Sequence, residues 1–224
     1  MKKQAILAAL LGTFLLTGCA NKPDGERNDS LEGFNRTMWK FNYNVMDHYV
    51  LEPVAKGWNN YVPKRVSSGL TSMANNLDEP VSFVNRLIEG EPKKAFVHFN
   101  RFWINTIFGL GGFVDFASAS KELRIDHQRE FGETLGSYGV DAGTYIVLPI
   151  YNATTPRQLT GAVVDAAYMY PFWEWIGGPW SLVKYGVQSV DTRAKNLDNA
   201  ELLRQAQDPY VTFREAYYQN LQLK

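Results

Sequence analysis

Pro92-Lys-Lys-Ala-Phe-Val-His-Phe-Asn-Arg-Phe-Trp-Ile-Asn-Thr-Ile-Phe-Gly-Leu110 is the stretch on which the fold turns. Its apolar residues, Phe96, Phe99, Phe102, Trp103, Ile104, Ile107 and Phe108, recur at helical spacing but cover more than one face. Only Asn100, Arg101, Asn105 and Thr106 are polar in its second half. The spacing predicts a helix that is buried or lipid-facing on most of its sides, closed by Gly109-Leu-Gly-Gly112.

Shorter helices are predicted on either side. Leu31, Phe34, Met38, Phe41, Val45 and Tyr49 recur at intervals of three and four, giving one apolar face with Asp29 or Ser30 as N-cap. Glu52-Pro53 and Val62-Pro63 read as breaks, because the residue before proline is pushed out of the α region. Further amphipathic helices are expected over Pro63–Asn75 and Pro80–Ile88, the second ending at Gly90. Phe131 to Gly143 carries glycines at 132, 136, 139 and 143 and reads as a loop or hairpin, leading into Tyr145-Ile-Val-Leu-Pro149, a possible short strand. Ala162 to Trp180 holds only Asp165 and Glu174 as charges but is punctuated by Pro171, Gly177, Gly178 and Pro179; two half-length helices meeting at Pro171 fit it. A charged helix over Ser189–Gln207 and a last one through Tyr218 complete an all-α expectation.

The 224 residues carry 23 Lys+Arg and 23 Asp+Glu, and this zero net charge excludes a polyanion-binding surface, so no nucleic-acid partner is expected. A single cysteine excludes an internal disulfide framework. Aromatic residues reach 14%, high enough to require a core, a ligand surface or a membrane to hold them.

Lys2-Lys3 precedes a short apolar run ending in Leu16-Thr-Gly-Cys19. The run is shorter than the roughly 20 residues that cross hydrocarbon, and with its basic flank reads as a secretory signal over residues 1–18. Leu16-Thr-Gly-Cys19 resembles the bacterial lipobox, which implies acylation of Cys19 and cleavage before it; Ala20 in place of aspartate then points to the outer membrane. Several acyl chains anchor durably where one binds only marginally. Losing the signal removes two lysines and no acid, leaving a net charge of −2. Residues 19–29 have no apolar side chain beyond Ala20 and read as a tether, with one folded domain over residues 30–224.

The search for chemistry returns little. His48, His98 and His127 lack metal-ligand spacing, so no metal or cofactor is expected. Asp126-His127 is the nearest thing to an acid-base pair, and no G-x-S-x-G elbow is present, so the chain is read as a non-enzyme.

Leu31-Glu-Gly-Phe-Asn-Arg-Thr-Met38, Asn76-Leu-Asp-Glu-Pro80, Arg101 to Phe113, Phe131 to Val140, Leu202-Leu-Arg-Gln205 and Asp208 to Tyr217 occur in order, and with the lipobox this chain resembles the MlaA (VacJ) family over nearly its whole mature length. The resemblance implies a ring-shaped, membrane-embedded, all-helical lipoprotein in the periplasmic leaflet of the outer membrane beside a trimeric porin. It would pass phospholipids mislocalised in the outer leaflet to a periplasmic carrier of the MlaC type. It further implies channel control at Phe41-Asn42 and a mobile hairpin near the 131–140 loop, whose glycines Gly132, Gly136, Gly139 and Gly143 suit a gate; Gly109, Gly111 and Gly112 are the candidate hinge. A headgroup needs a polar path through an apolar surround, and Asn100, Asn105, Asp115, Asp165 and Lys184 are the candidates to line it, satisfied core contacts being an equal account of each. The alternatives are a lipoprotein that braces porins without moving lipid, and a lipid hydrolase using Asp126 and His127.

Overall fold

A computed structural model describes residues 29–176 and 179–223. Cys19, the signal sequence and all of the tether except Asp29 lie outside the described residues.

The first helical path is longer than the prolines suggest. α1 (Glu32–Phe41) runs into a π-helical segment (Asn42–Leu51) and on into α2 (Glu52–Tyr61). The predicted break at Glu52-Pro53 does not occur. The wider winding continues to the Glu52 N–H, which donates to the Asp47 carbonyl five residues back, so Pro53 joins without the clash against the i−4 carbonyl that α winding imposes. Three helices follow: α3 (Lys64–Asn76), α4 (Glu79–Ile88) and α5 (Pro92–Ile107). The first two match their predicted spans within about one residue.

Past α5 the chain makes two single-turn 3₁₀ segments (Ala117–Ala119 and Lys121–Leu123), a short helix α6 (Phe131–Ser137), and a hairpin of β1 (Ile146–Leu148) and β2 (Asn152–Thr154). The strands are antiparallel, with Val147 opposite Ala153. Four helices close the chain: α7 (Pro156–Ile176), α8 (Trp180–Lys195), α9 (Leu197–Gln205) and α10 (Pro209–Leu223). The fold is thus mostly helical, and the small sheet is a correction to the all-α expectation.

Two further expectations change. Gly132 and Gly136 belong to α6 rather than to a loop; the helix is started by a capping box in which Glu130 and Glu133 each accept from the other's backbone. A Cβ on Gly161 of α7 would lie 2.2 Å from the Gly132 nitrogen, so these glycines permit a close crossing of α6 and α7. Only Gly139 and Gly143, both with positive φ, lie in the connection to the hairpin. Second, α7 continues through Pro171 as one helix.

The proposed hinge glycines form a pinned turn. Leu110, Gly111 and Gly112 all have positive φ, the Gly111 and Gly112 N–H groups donate to the Thr106 and Asn105 carbonyls, and the Val114 N–H donates to Gly109. A Cβ on Gly109 would sit 2.1 Å from the Val114 carbonyl oxygen and 2.4 Å from that of Asn105, both backbone atoms with no rotamer to yield. Gly109→Ala is therefore expected to cost about 1–3 kcal/mol as overpacking, read as a lowered denaturation midpoint at unchanged slope.

The aromatic core sits where α1, β1 and α10 meet. Trp39 stacks on Tyr43 with ring centres 4.5 Å apart, and Tyr145 meets the rings of Tyr210, Tyr217 and Tyr218 edge-on or tilted. Val147 completes this cluster.

Candidate functional site

α5 has two faces of opposite character. Phe96, Phe99, Trp103 and Ile107, spaced three and four apart, are exposed, with Leu110 just beyond the helix 74% exposed. Ala95, His98, Arg101 and Asn105 form the buried face. Of the predicted polar minority, Arg101 and Asn105 lie on the inward side, Thr106 is half-buried and Asn100 is exposed, while most of the aromatics are on the outward side.

That inward face builds a charged network with α4. Glu79, 1% exposed, receives a hydrogen bond from Arg101 Nε at 2.7 Å on one oxygen and meets His98 Nδ1 at 2.6 Å on the other. Arg101 also donates to the Leu123 carbonyl at 2.8 Å and to Asp115 at 3.1 Å. Asn105 donates to Asp115 and accepts from the Ala117 N–H. Burial opposes ionisation of Asp115, but bonds from Ser118, Asn105 and Arg101 hold it below the usual carboxylate range. Asn105 and Asp115 are thus brought together, each satisfied by protein partners, and Glu79 and Arg101 are the central members that sequence reading did not select. Their signal was available: residues 98, 101 and 105 share one face of an apolar helix.

Asp165 belongs to a second network. Its carboxylate accepts from Asn85 Nδ2 at 3.0 Å and from the Phe131 N–H at 2.9 Å, tying α7 to α4 and to the start of α6. No described cation lies within ion-pair distance of it. Burial pushes its pKa up, the two donated bonds oppose this, and the charges of Glu130 and Asp78 push it further, to about 6. Since the folded value lies above the ordinary 3.8, the stabilisation from Asp165 is complete below about pH 4 and is lost as pH rises through 6. Asp165→Asn is expected to flatten the pH dependence of stability between about 4 and 6, measured by denaturant unfolding across that range.

The remaining candidates separate. Lys184 of α8 is buried, 2.6 Å from Asp78 and 4.2 Å from the Tyr185 ring centre, while Asn100 is exposed. Asp126 is exposed, whereas His127 Nε2 faces Glu133 at 3.3 Å rather than Asp126.

Asn42, at the start of the π-helical segment, reaches the hairpin: its amide donates to the Leu148 carbonyl and accepts from the Ile150 N–H, both at 2.8 Å. Two turns earlier Asn35, fully buried, does the same to the other end of β1, donating to the Tyr145 carbonyl and accepting from the Val147 N–H, both at 2.9 Å. The outer edge of β1 is therefore paired by side-chain amides on one helix in place of a third strand. Phe41 beside Asn42 is exposed. The hairpin turn holds Ile150 at φ 67° and Asn152 at φ 72°; a β-branched residue there is strained. The hairpin that Asn42 holds is thus residues 146–154, downstream of the glycine-rich segment named from sequence.

Across the described residues the polarity is inverted. Seventeen buried side chains are polar or charged and eleven are hydrophobic, while thirty large hydrophobic side chains are exposed. Exposed apolar surface on this scale marks an interface or a membrane. No described helix is long and apolar enough to cross a membrane.

Fold and polarity together define a class: a helical protein that turns its polar groups inward and its aromatic faces outward. Residues 27–224 match the family described as MlaA lipoprotein, and the chain belongs to that family. It is 84% identical to the intermembrane phospholipid transport system lipoprotein MlaA of Haemophilus influenzae, across all of this chain and 91% of that one. Identity to the protein of the same description in Escherichia coli K12 is 45%, covering 97% of this chain and 87% of the relative. A solved structure from work on the structural basis for maintenance of bacterial outer membrane lipid asymmetry matches with a TM-score of 0.79 at 44% identity, over 87% of this chain and 98% of that one.

Proposed function

We propose that this chain is an outer-membrane lipoprotein that acts as a phospholipid conduit, withdrawing phospholipid from the outer leaflet and passing it to a periplasmic carrier. The observation that carries the reading is the inverted polarity of α5 and its neighbours. Apolar faces turned outward suit acyl chains, and a polar interior lowers the several kcal/mol that a charged headgroup costs in hydrocarbon. Described helices of which none is both long and apolar enough to cross the bilayer suit a protein seated in one leaflet and arranged as a ring. The names of the relatives support phospholipid transport.

In this reading residues 1–18 are a cleaved signal, acylated Cys19 is the anchor, and residues 19–29 are the tether. The hairpin of residues 146–154 acts as the gate and the clamp of Asn35 and Asn42 sets its position. Asp165 is the candidate most available to a passing headgroup, because no cation among the described residues lies within ion-pair distance of it; Asn105, Asp115 and Lys184 hold the wall. A trimeric porin would cover part of the aromatic exterior, and a carrier of the MlaC type would receive the lipid.

The test is outer-leaflet phospholipid in a deletion strain complemented with the parent chain or with Cys19→Ser. Phospholipid at the cell surface in the deletion strain, cleared by the parent chain but not by Cys19→Ser, is the expected result. An unaltered outer leaflet in the deletion strain overturns the reading. A porin brace without transport predicts porin binding and no change in surface phospholipid.

A further inference from the structure

Tyrosines from three elements converge on Asp165 of α7: Tyr151 in the hairpin turn, Tyr168 one turn further along α7, and Tyr185 on α8. Burial raises the pKa of each hydroxyl and the Asp165 charge raises it further, so all three remain O–H donors at neutral pH. None of these hydroxyls has a hydrogen-bond partner among the described residues. Tyr151 and Tyr185 are nevertheless 53% and 55% exposed. A ring half open to water whose hydroxyl is still crowded by protein borders a recess, not a flat surface.

The half-buried carboxylate itself has no counter-charge. Each Asp165 oxygen accepts one bond, from Asn85 Nδ2 at 3.0 Å or from the Phe131 N–H at 2.9 Å, and both donors are neutral. The charges that act on it most strongly are the negative ones of Glu130 and Asp78, and Lys184 is already bound to Asp78 at 2.6 Å. Asn85 adds a second unspent acceptor: it is fully buried with its amide turned to Asp165, and its Oδ1 has no partner. Each carboxylate oxygen has a lone pair left for a second donor. Acceptors that lack a cation, set beside O–H donors that lack an acceptor, fit a zwitterion.

We propose that Asp165 seats the ammonium of a phospholipid headgroup that ends in a primary amine, while the hydroxyls of Tyr151 and Tyr185 donate to its phosphodiester. The proposal rests on the conduit reading and adds a preference to it. An anionic glycerol headgroup brings the same phosphodiester but no cation, so it leaves Asp165 unpaired and is repelled by it. An ammonium bonds the carboxylate with charge assistance and compensates the unpaired Asn85 oxygen behind it. The hydroxyls come from the hairpin and from α8, so a bound headgroup would tie the proposed gate to the wall.

The test reads the carboxylate directly. The full chain is labelled with ¹³Cγ-aspartate and held in detergent at a pH above the Asp165 value of about 6, and the Asp165 signal is identified by its loss in Asp165→Asn. Short-chain dihexanoyl phosphatidylethanolamine, dihexanoyl phosphatidylglycerol and free ethanolamine are titrated separately at constant ionic strength. A saturable Asp165 shift is expected with the first, and an apparent affinity at least about tenfold weaker with each of the other two. Tyr151→Phe and Tyr185→Phe, both at exposed positions, keep the ring and remove the donor. Each is expected to weaken the response to phosphatidylethanolamine by about tenfold, as for a hydrogen bond to a charged group. No saturable shift with phosphatidylethanolamine, an equal response to phosphatidylglycerol or to free ethanolamine, or undiminished affinity in either Phe variant overturns the proposal. Normal lipid clearance with no Asp165 response refutes the headgroup seat and leaves the conduit intact, whereas a selective response in a chain that clears no lipid leaves the seat and overturns the conduit.

Discussion

Glu79→Ala is expected to remove about 3–5 kcal/mol of stability, the range measured when one partner of a buried ion pair is deleted. Glu79 is the single carboxylate between His98 and Arg101, and all three lie at or below 5% exposure. Without it Arg101 retains only Asp115 and neutral acceptors, and His98 faces a void. The loss comes from the stranded guanidinium more than from the missing attraction, so Glu79→Gln, which keeps volume and an acceptor, is expected to cost less. Unfolding in detergent followed by circular dichroism measures both. A Glu79→Ala protein within about 0.5 kcal/mol of the parent, as for ordinary surface changes, would mean that the network does not hold α4 to α5.

Asn35→Ala is the second large effect. The side chain is fully buried and occupies three partners: Asp29 at 2.9 Å, the Tyr145 carbonyl and the Val147 N–H. Truncation leaves the two backbone groups without partners in a site that excludes water. At about 1–3 kcal/mol for each orphaned group, with partial relaxation, the expected loss is about 2–4 kcal/mol. The consequence is also positional, because β1 loses the pairing that registers it on α1. Asn42→Ala frees the other end of the same strand at Leu148 and Ile150, beside the exposed turn, where water replaces the lost bonds. It is expected to lower stability less and to raise amide exchange selectively over residues 146–154. Equal exchange in parent and Asn42→Ala would show that the hairpin is held by something else.

Sequence periodicity located the helices well where one apolar face and a nearby proline or glycine agree, as for α3 and α4. It failed where a distant partner decides. The α6 residues Gly132 and Gly136 read as loop because glycine has low helix propensity, and Glu130 is an uncommon N-cap beside Ser, Thr, Asp or Asn. Their reason is the crossing with α7, where Gly132 lies against Gly161 and Gln158 and Gly136 against Arg157, which no local window contains. The hairpin carries no Asn-Gly or Asp-Gly signal, and Ile150 adopts a conformation that β-branched residues avoid, so its turn was not legible.

The site divides in the same way. Family resemblance pointed to Asn42, and the structure supplies its bonds to β1. Asn35, seven residues earlier on the same helical path, sits inside the quoted Leu31–Met38 motif but joins a strand 110 residues away. Asn105, Asp115, Asp165 and Lys184 were selected as polar residues in apolar surroundings. Whether each faces an interior path or a protein partner depends on Glu79, Arg101, Asn85 and Asp78, which are distant in sequence.

The most direct test of the proposed conduit is lipid transfer by the full chain, prepared in the proposed Cys19-acylated form and reconstituted with a trimeric porin in vesicles, to a purified soluble carrier of the MlaC type. Phospholipid is expected to appear on the carrier with the parent chain, and to fall sharply with Asn42→Ala if the hairpin clamp controls passage. A carrier that stays as empty with the folded parent chain as with protein-free vesicles contradicts the conduit.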